Sequence, residues 1–523
     1  MVLEHMKGVG PELAAVLPQD GLPWYKKSHL VRLNFSIFCL VLFSSANGYD
    51  GSMMNGLQAL PEWGHFMGDP TGAYLGFIVA VQSLGATVCF PAIAWCNNYF
   101  GRWKTIAFGY VWLVLGVVLT TAAHNQVMFI LGRLFIGGAT ACWSATAPIL
   151  ITEIAYPSHR SILTSLYNCG WYIGSLVAAW ATYGTRNYGN NWTWRVPCLL
   201  QVLIPVFIIP GLLLTPESPR WLFSKDRVEE ARAFLIKAHA GGDENSRLVA
   251  FELAEIQGTL EMERLAKAST SYVDMLKTKG NRHRLFISIT LGIFAQWNGV
   301  GIASYYLAPV LATVGITDVT RQTLISGFLQ VWNLILAVGG TLCVDRLGRR
   351  LLFMTSCVGM LVSYILISAL SGSFANTAHT ATGLAVVPFL FIYYGFYDIA
   401  FTPLVVSYVC EIWPYTYRAR GLAISQLSTQ AAVFFNIFVN PIALEAIQWK
   451  YYCVYVGLLV IITLTVYFTY PETNGHSLEE MVKVFDGKDA RVPGEDALKA
   501  QMASKRVDMG DAEHFEDRSD EKV

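Results

Sequence analysis

The chain has 523 residues, of which 54% are hydrophobic and 14% charged, and its formal net charge is zero. A soluble chain would be about a quarter charged, so a membrane body is indicated, and the balanced charge gives no reason to expect a nucleic acid as partner. The 10 cysteines sit in apolar runs (Cys39, Cys89, Cys142 and Cys169 among them) without any CxxC, so neither a metal site nor a disulfide framework is expected.

Residues 1–32 form a polar tail carrying Glu4, Glu12 and Asp20, unlike a secretory signal. A membrane-spanning helix needs about 20 mainly apolar residues. Twelve runs qualify, at 33–55, 73–95, 105–123, 127–151, 163–184, 196–215, 286–309, 322–344, 351–371, 383–408, 421–444 and 451–470. The expected fold is therefore an all-α membrane protein with two six-helix halves, 33–215 and 285–470. The polar segment 216–284 between them has helical charge patterning (RVEEARAFLIKAHA) and is expected to form two to four amphipathic helices on a membrane face. Residues 471–523 form a polar tail, expected to be disordered.

Lysine and arginine placement sets orientation. Lys26, Lys27, Arg102, Lys104, Arg160, the 12 Lys/Arg of 216–284, Arg349, Arg350, Arg418 and Arg420 fall on one side. The opposite loops are poorer, with Arg186, Arg195, Arg321 and Lys450 as exceptions. Both termini are thus expected in the cytoplasm, and the sequon at Asn191 falls in an outer loop as a candidate glycosylation site.

Two intramembrane carboxylates stand out. Asp50 is the only formal charge in the first apolar run, and Asp398 lies in the tenth. Such residues are costly in hydrocarbon and usually face a bundle interior with a partner. Arg133, the only charge well inside span four and flanked by Gly132, Gly137 and Gly138, is the expected partner of Asp50. Asp398 has no evident one.

The halves repeat. Asn98-Tyr99-Phe100-Gly101-Arg102 after span two matches Asp345-Arg346-Leu347-Gly348-Arg349 after span eight; Glu153 and Arg160 match Glu411 and Arg418; Pro216-Glu217-Ser218 matches Pro471-Glu472-Thr473. Three matches in register imply a duplicated six-span unit. Carboxylates and guanidinium groups at neighbouring helix ends can pair bidentately. Arg102, Glu153, Arg160, Glu217, Arg220, Asp345, Arg349, Glu411 and Arg418 are accordingly expected to form an inner gate that holds the halves together.

GRLFIGG at 132–138, PILITEIAYPSHRS at 148–161, PESPRWL at 216–222, VDRLGRR at 344–350, EIWPYTYRARG at 411–421 and PETNGHSLEEM at 471–481 together resemble the sugar porter family of the major facilitator superfamily. AQWNGVGIASYYLAPVL at 295–311, FYDIAFTPLVVSYVCEI at 396–412 and FFNIFVNPIALEAI at 434–447 are similar to the fungal lactose permease, cellodextrin and hexose-type carriers. The departures are Asn98 for the usual Asp, Ala295 and Gly301 for a Gln and an Asn, Asn168 for a Gln, and Val406 for a Trp. Smaller side chains would leave room for a larger sugar, which favours a disaccharide (lactose- or cellobiose-like) over strict hexose transport.

The resemblance implies a major facilitator fold and alternating access. It implies proton coupling through Asp50 and Arg133, with the proton as coupling ion and no cofactor. It places Asn168, Gln296, Asn333 and Asn436 at sugar-contacting positions. These are neutral amides that, like sugar hydroxyls, donate and accept. Trp297, Trp171, Tyr305, Tyr306 and Tyr397 are candidate stacking rings. The implied partners are a small sugar and membrane lipid, and the implied state is a monomer in the plasma membrane. The rival readings are a non-transporting sugar sensor, disfavoured by the short tail, and a carrier of another polyhydroxylated metabolite. With no GxxxxGK[ST], no HExxH and no nucleophile–base constellation, neither a nucleotide-driven pump nor an enzyme is expected.

Overall fold

A bilayer core offers no water to backbone N–H and C=O groups, so a spanning chain must satisfy them within helices. The computed structural model describes residues 16–18, 23–269, 271–473, 481 and 484–486; the side chains at 161, 162, 165, 262, 263, 265–269, 341–347 and 415 lie outside the description. All regular structure among the described residues is helical. The first six spans are Ser28–Leu57, Gly72–Tyr99, Arg102–Thr121, Gln126–Ile154, Arg160–Thr185 and Trp192–Leu214. Span seven is built of Lys279–Trp297, Val300–Tyr305 and Leu307–Thr313. Spans eight to twelve are Val319–Leu347, Arg349–Thr377, Thr380–Ile412, Tyr415–Ile447 and Lys450–Thr469.

All twelve apolar runs are thus helical, and among the described residues ten helices are long and apolar enough to cross a membrane on those grounds alone. Span five is less apolar because Tyr167, Asn168, Trp171 and Tyr172 on one face line an internal chamber. Span seven is broken at Asn298-Gly299. Gly299 has φ 106°, and a Cβ there would lie 2.4 Å from the Tyr364 hydroxyl oxygen, so only glycine fits. Tyr364 donates to the Gly299 carbonyl at 2.8 Å and Tyr393 to the Asn298 carbonyl at 3.3 Å, which satisfies backbone acceptors the break would otherwise strand.

Lipid tails are as apolar as leucine, so helices associate here through close packing and polar contacts. One apolar core draws mainly on spans one to six and includes Leu40, Phe43, Trp143 and Trp194. A second draws on spans seven to twelve and includes Phe353, Tyr393, Leu404 and Trp413. Spans one and five approach backbone to backbone: a Cβ on Gly174 would lie 1.7 Å from the Ser45 carbonyl oxygen, and one on Gly48 2.0 Å from that of Trp171. The two six-span sets also touch. Tyr172 and Cys169 of span five pack with Ala337 of span eight. At the end away from the charged motifs, Asn55 Oδ1 accepts from Leu307 N at 2.8 Å, and Gln58 Nε2 donates to the Tyr305 carbonyl at 2.8 Å.

The segment after span six forms helices Pro219–Ser224, Val228–Ala238 and Arg247–Ser269 and a short 3-10 turn, Val273–Leu276. It is tied to the end of span four by buried His239, whose Nδ1 meets Glu252 at 2.8 Å and whose Nε2 lies 3.1 Å from the Ile154 carbonyl. Most of the tail expected to be disordered lies outside the described residues. Residues 484–486 within it are helical, and Asp486 accepts from Arg284 at 2.6 Å.

Candidate functional site

Between the two sets of spans lies a chamber of about 440 Å³, within the ~300–1,000 Å³ of small-molecule sites. Asn47, Gln82, Arg133, Asn168, Trp171 and Tyr172 line it from the first set; Gln296, Tyr305, Gln330, Asn333, Tyr397, Gln426 and Gln430 line it from the second. Six of the nine residues expected to contact sugar therefore face one space: Asn168, Gln296, Asn333, Trp171, Tyr305 and Tyr397. The Oδ1 atoms of Asn47 and Asn333 and the Tyr167 hydroxyl are buried without a hydrogen-bond partner, so polar capacity on the chamber wall is uncommitted.

The other three do not face it. Asn436 lies behind the wall, donating to the Gln296 carbonyl and accepting from the Tyr455 hydroxyl at 3.3 Å. Trp297 donates its Nε1 to the Ala432 carbonyl at 3.2 Å and packs on Phe435. Gln296 lines the chamber, whereas Trp297, one residue on, is held toward span eleven by that hydrogen bond. Tyr306 also turns away, donating to the Ile437 carbonyl at 2.6 Å. Ala295 and Gly301 do not enlarge the chamber. Neither lines it, and Gly301 lets Asn436 approach so closely that a Cβ would lie 2.6 Å from its Nδ2.

Sequence reasoning missed Asn47, Gln82, Gln330, Gln426 and Gln430. A signal was present. Gln330 precedes Asn333 by one helical turn, and Gln426, Thr429, Gln430, Val433 and Ile437 repeat at helical spacing along span eleven, all on the chamber.

Asp50 is 2% exposed, and both its carboxylate oxygens are buried without a hydrogen-bond partner. The expected direct pair with Arg133 is not made in this conformation. Span two captures the guanidinium instead: Nε donates to the Ile78 carbonyl at 3.1 Å, and Nη2 to the Val79 carbonyl at 3.3 Å and to Gln82 Oε1 at 2.9 Å. Asp398, for which the sequence offered no partner, accepts from Tyr172 and, at 3.0 Å, from Thr402.

The charged motifs form two like clusters. Arg102 pairs with Glu153 at 2.8 Å, while Glu217 accepts from the backbone N–H of Arg102 at 2.9 Å and of Trp103 at 3.2 Å. Arg349 pairs with Glu411 at 3.1 Å, and Glu472 accepts from the backbone N–H of Arg349 and of Arg350, each at 2.9 Å. Each acidic residue thus caps the positive end of a helix, spans three and nine respectively. The preceding glycines are required: Gly101 has φ 97° and Gly348 φ 84°, and a Cβ would lie 2.4 Å from Glu217 Oε2 and 3.0 Å from Glu472 Oε2. Burial pushes the Glu217 carboxyl above its ordinary value, while the N–H bonds from Ser218, Arg102 and Trp103 pull it down.

These pairs correct the expected gate, because each joins neighbouring helices of the same six-span set and does not bridge the two. Arg160 begins span five with its Nε buried and without a partner; Arg220 lies in the Pro219–Ser224 helix, and Arg418 near the start of span eleven. The Asp345 side chain lies outside the described residues. Asn191 is exposed, and Thr193 of its sequon is buried.

The family model described as "Sugar (and other) transporter" matches residues 36–485. The hexose transporter HXT13 of Saccharomyces cerevisiae is 30% identical over 421 residues, which are 79% of this chain and 74% of that protein. Hexose transporter 2 of Kluyveromyces lactis is 27% identical over 488 residues, 89% of this chain and 85% of that one. The inward-open structure of the xylose transporter XylE from E. coli superposes with a TM-score of 0.72 at 21% identity, covering 87% of this chain and all of that one. Two like sets of helices around a central polar chamber define a multi-pass membrane carrier of the major facilitator fold. The chain belongs to the sugar (and other) transporter family, whose members here are transporters and not enzymes.

Proposed function

We propose that this carrier imports a neutral sugar together with a proton by alternating access between its two six-span halves. The observation that carries the reading is the chamber, where amides from both halves face one space and Arg133 forms part of the wall. Amides donate and accept as sugar hydroxyls do, and the Trp171, Tyr305 and Tyr397 rings offer apolar surface for a pyranose face. The hexose-carrying relatives support a sugar, and the structural neighbour described as a proton:xylose symporter supports coupling. A disaccharide remains the preferred substrate within this reading, now on the breadth of the chamber, since Ala295 and Gly301 add no room.

Asp50 is the proton carrier. An ionised carboxylate without donors is very costly in so buried a site, so the group is held neutral while Arg133 is parked on span two. When Arg133 leaves Gln82 and meets Asp50, the ion pair replaces the proton, which is released to water. The Lys/Arg distribution supports a cytoplasmic location for the charged motifs and both termini, and a monomer in the plasma membrane suffices. The Asn55 and Gln58 contacts then close the extracellular end.

Uptake of labelled glucose, xylose and lactose in a transport-null host, with and without a protonophore, tests the reading. Accumulation of at least one sugar, abolished by the protonophore and by Asp50→Asn, is expected. Accumulation unaffected by both treatments overturns the coupling, and uptake of none of the three sugars overturns the substrate class.

A further inference from the structure

Asp398 is the second carboxyl group inside the membrane body, and the cycle above does not use it. It is completely buried in span ten. Its Oδ1 accepts the Tyr172 hydroxyl and, at 3.0 Å, that of Thr402, while Oδ2 is buried with no partner. The two hydroxyls lie 3.3 Å apart, so the three groups form one cluster. Tyr172 belongs to span five and Asp398 to span ten, so this hydrogen bond crosses from one half to the other. Tyr172 and Thr402 also line the chamber, which puts Asp398 one side chain from it.

The surroundings are neutral. Span five contributes Tyr172. Among the described residues, span eight approaches at Gly340, whose added Cβ would lie 3.1 Å from the Asp398 carbonyl oxygen. Span seven contributes Ser304, bonded at 2.6 Å to Tyr394, and Tyr305. The remaining phenols, Tyr394 and Tyr397, lie on span ten itself. Among the described residues no lysine, arginine or histidine pairs with Asp398. Two neutral donors on one oxygen do not offset the desolvation of a full charge.

We propose that Asp398 binds a proton of its own, distinct from that of Asp50, and that Tyr172 ties its occupancy to the closure of span five on span ten. With the halves together, as here, the proton sits on Oδ2 and Oδ1 accepts the tyrosine. When the halves part at this level, Tyr172 withdraws and chamber water replaces it. Asp398 can then give its proton to that water and remain ionised in a wet site. Re-closure requires a proton to return from water to the carboxylate. Sugar exchange therefore depends on pH through Asp398 as well as through Asp50. The proposal rests on the carrier reading but not on net proton movement.

Equilibrium exchange of labelled sugar in proteoliposomes across pH 4 to 9 separates the two. Without a gradient, exchange needs the conformational change but no net proton flux. Asp398→Asn keeps an acceptor for Tyr172 and cannot ionise. It is expected to retain exchange and to lose one limb of the pH profile, a limb that Asp50→Asn leaves in place. Tyr172→Phe is expected to move that same limb by roughly 2- to 10-fold in proton concentration, the worth of one hydrogen bond to a neutral carboxyl group. A structural latch alone would lower the rate of both variants at every pH without changing the profile. If the Asp398→Asn and Tyr172→Phe profiles superimpose on the wild-type one after scaling, the proposal is overturned. Should Asp398→Asn fail to fold, an unmoved limb in Tyr172→Phe overturns it. Protonophore-insensitive uptake by the wild type would sink the Asp50 coupling and leave this profile as the judge of Asp398.

Discussion

Gln82 holds Arg133 away from Asp50, and replacing it should change how much acid the carrier needs. Its Oε1 accepts from the guanidinium at 2.9 Å, the shortest of the three bonds that park Arg133 on span two. The other two acceptors are backbone carbonyls and survive any substitution. Gln82→Leu removes the side-chain acceptor at similar volume and leaves intact the backbone on which Gly137 packs. A hydrogen bond to a charged group is worth about 1.5–3 kcal/mol. With ~1.4 kcal/mol per tenfold, the balance shifts by roughly 10- to 150-fold toward Arg133 paired with Asp50. Protonation must then compete with a stronger ion pair, so the proton concentration for half-maximal uptake should rise about 10- to 100-fold. Initial rates of sugar uptake against external pH read this directly. Gln82→Glu, which offers Arg133 a charged acceptor, should shift the curve the other way. A Gln82→Leu carrier that reaches the membrane in normal amount with an unchanged pH curve would refute the role of Gln82. Because Gln82 also lines the chamber, a sugar hydroxyl that claims its amide would release Arg133 in the same sense.

Asn168→Ala and Gln296→Ala should each raise the KM for sugar about 5- to 10-fold, the worth of one neutral hydrogen bond; an unchanged KM in the double variant would remove both from the site. Asn436→Ala should instead lower the thermal midpoint, because the lost bond supports the Gln296 backbone and does not face the chamber. Gly101→Ala puts a Cβ 2.4 Å from Glu217 Oε2 at φ 97° and should cost about 1–3 kcal/mol, more than Gly348→Ala, where the distance is 3.0 Å; thermal unfolding in detergent orders the two. Glu217 gives a pH test. Burial raises its carboxyl above the ordinary 4.5 in the folded state, so the folded chain binds that proton more readily than the unfolded one. Its contribution to stability is full below about 4.5 and falls as pH rises through the raised value, so the thermal midpoint of wild type relative to Glu217→Gln should decline over that window.

The twelve spans were legible because apolar length is a sufficient signal in a bilayer, and the duplicated motifs were legible because their spacing repeats. The amides at 168, 296 and 333 could be assigned through resemblance. What the sequence could not supply was direction. Trp297 and Gln296 are neighbours, and only the packing of span seven on span eleven decides which one faces the chamber. The substitutions at 295 and 301 read as added space, because a sequence does not show that Asn436 closes on Gly301. The pairing of Asp50 with Arg133 follows from charge alone, whereas the competing acceptors are two backbone carbonyls and a glutamine, which a charge count does not see. Tyr172 and Asp398 are 226 residues apart, and nothing local connects them.

The distribution of strong and weak contacts also revises what holds the carrier shut. Two ion pairs of the charged motifs lie within a half: Arg102 with Glu153, and Arg349 with Glu411. Partly buried charge pairs are expensive to break because each partner left alone keeps its desolvation cost, so such pairs suit joints that stay made while the halves rock as bodies. Among the described residues, the contacts that join the two halves at the far end are hydrogen bonds without an ion pair: Asn55 and Gln58 to the backbone of span seven, Thr71 to Glu445 at 3.1 Å and Arg186 to Thr320 at 3.3 Å. The neutral ones are worth about 0.5–1.5 kcal/mol net and those with a charged partner about 1.5–3 kcal/mol, and water replaces either partner when the gap opens. That span seven is interrupted at Gly299 and again at Tyr306 lets this short outer piece adjust without moving the rest of the helix. The chain thus places its rigid chemistry inside each half and its exchangeable chemistry between them, as a carrier that must open and close at every turnover requires.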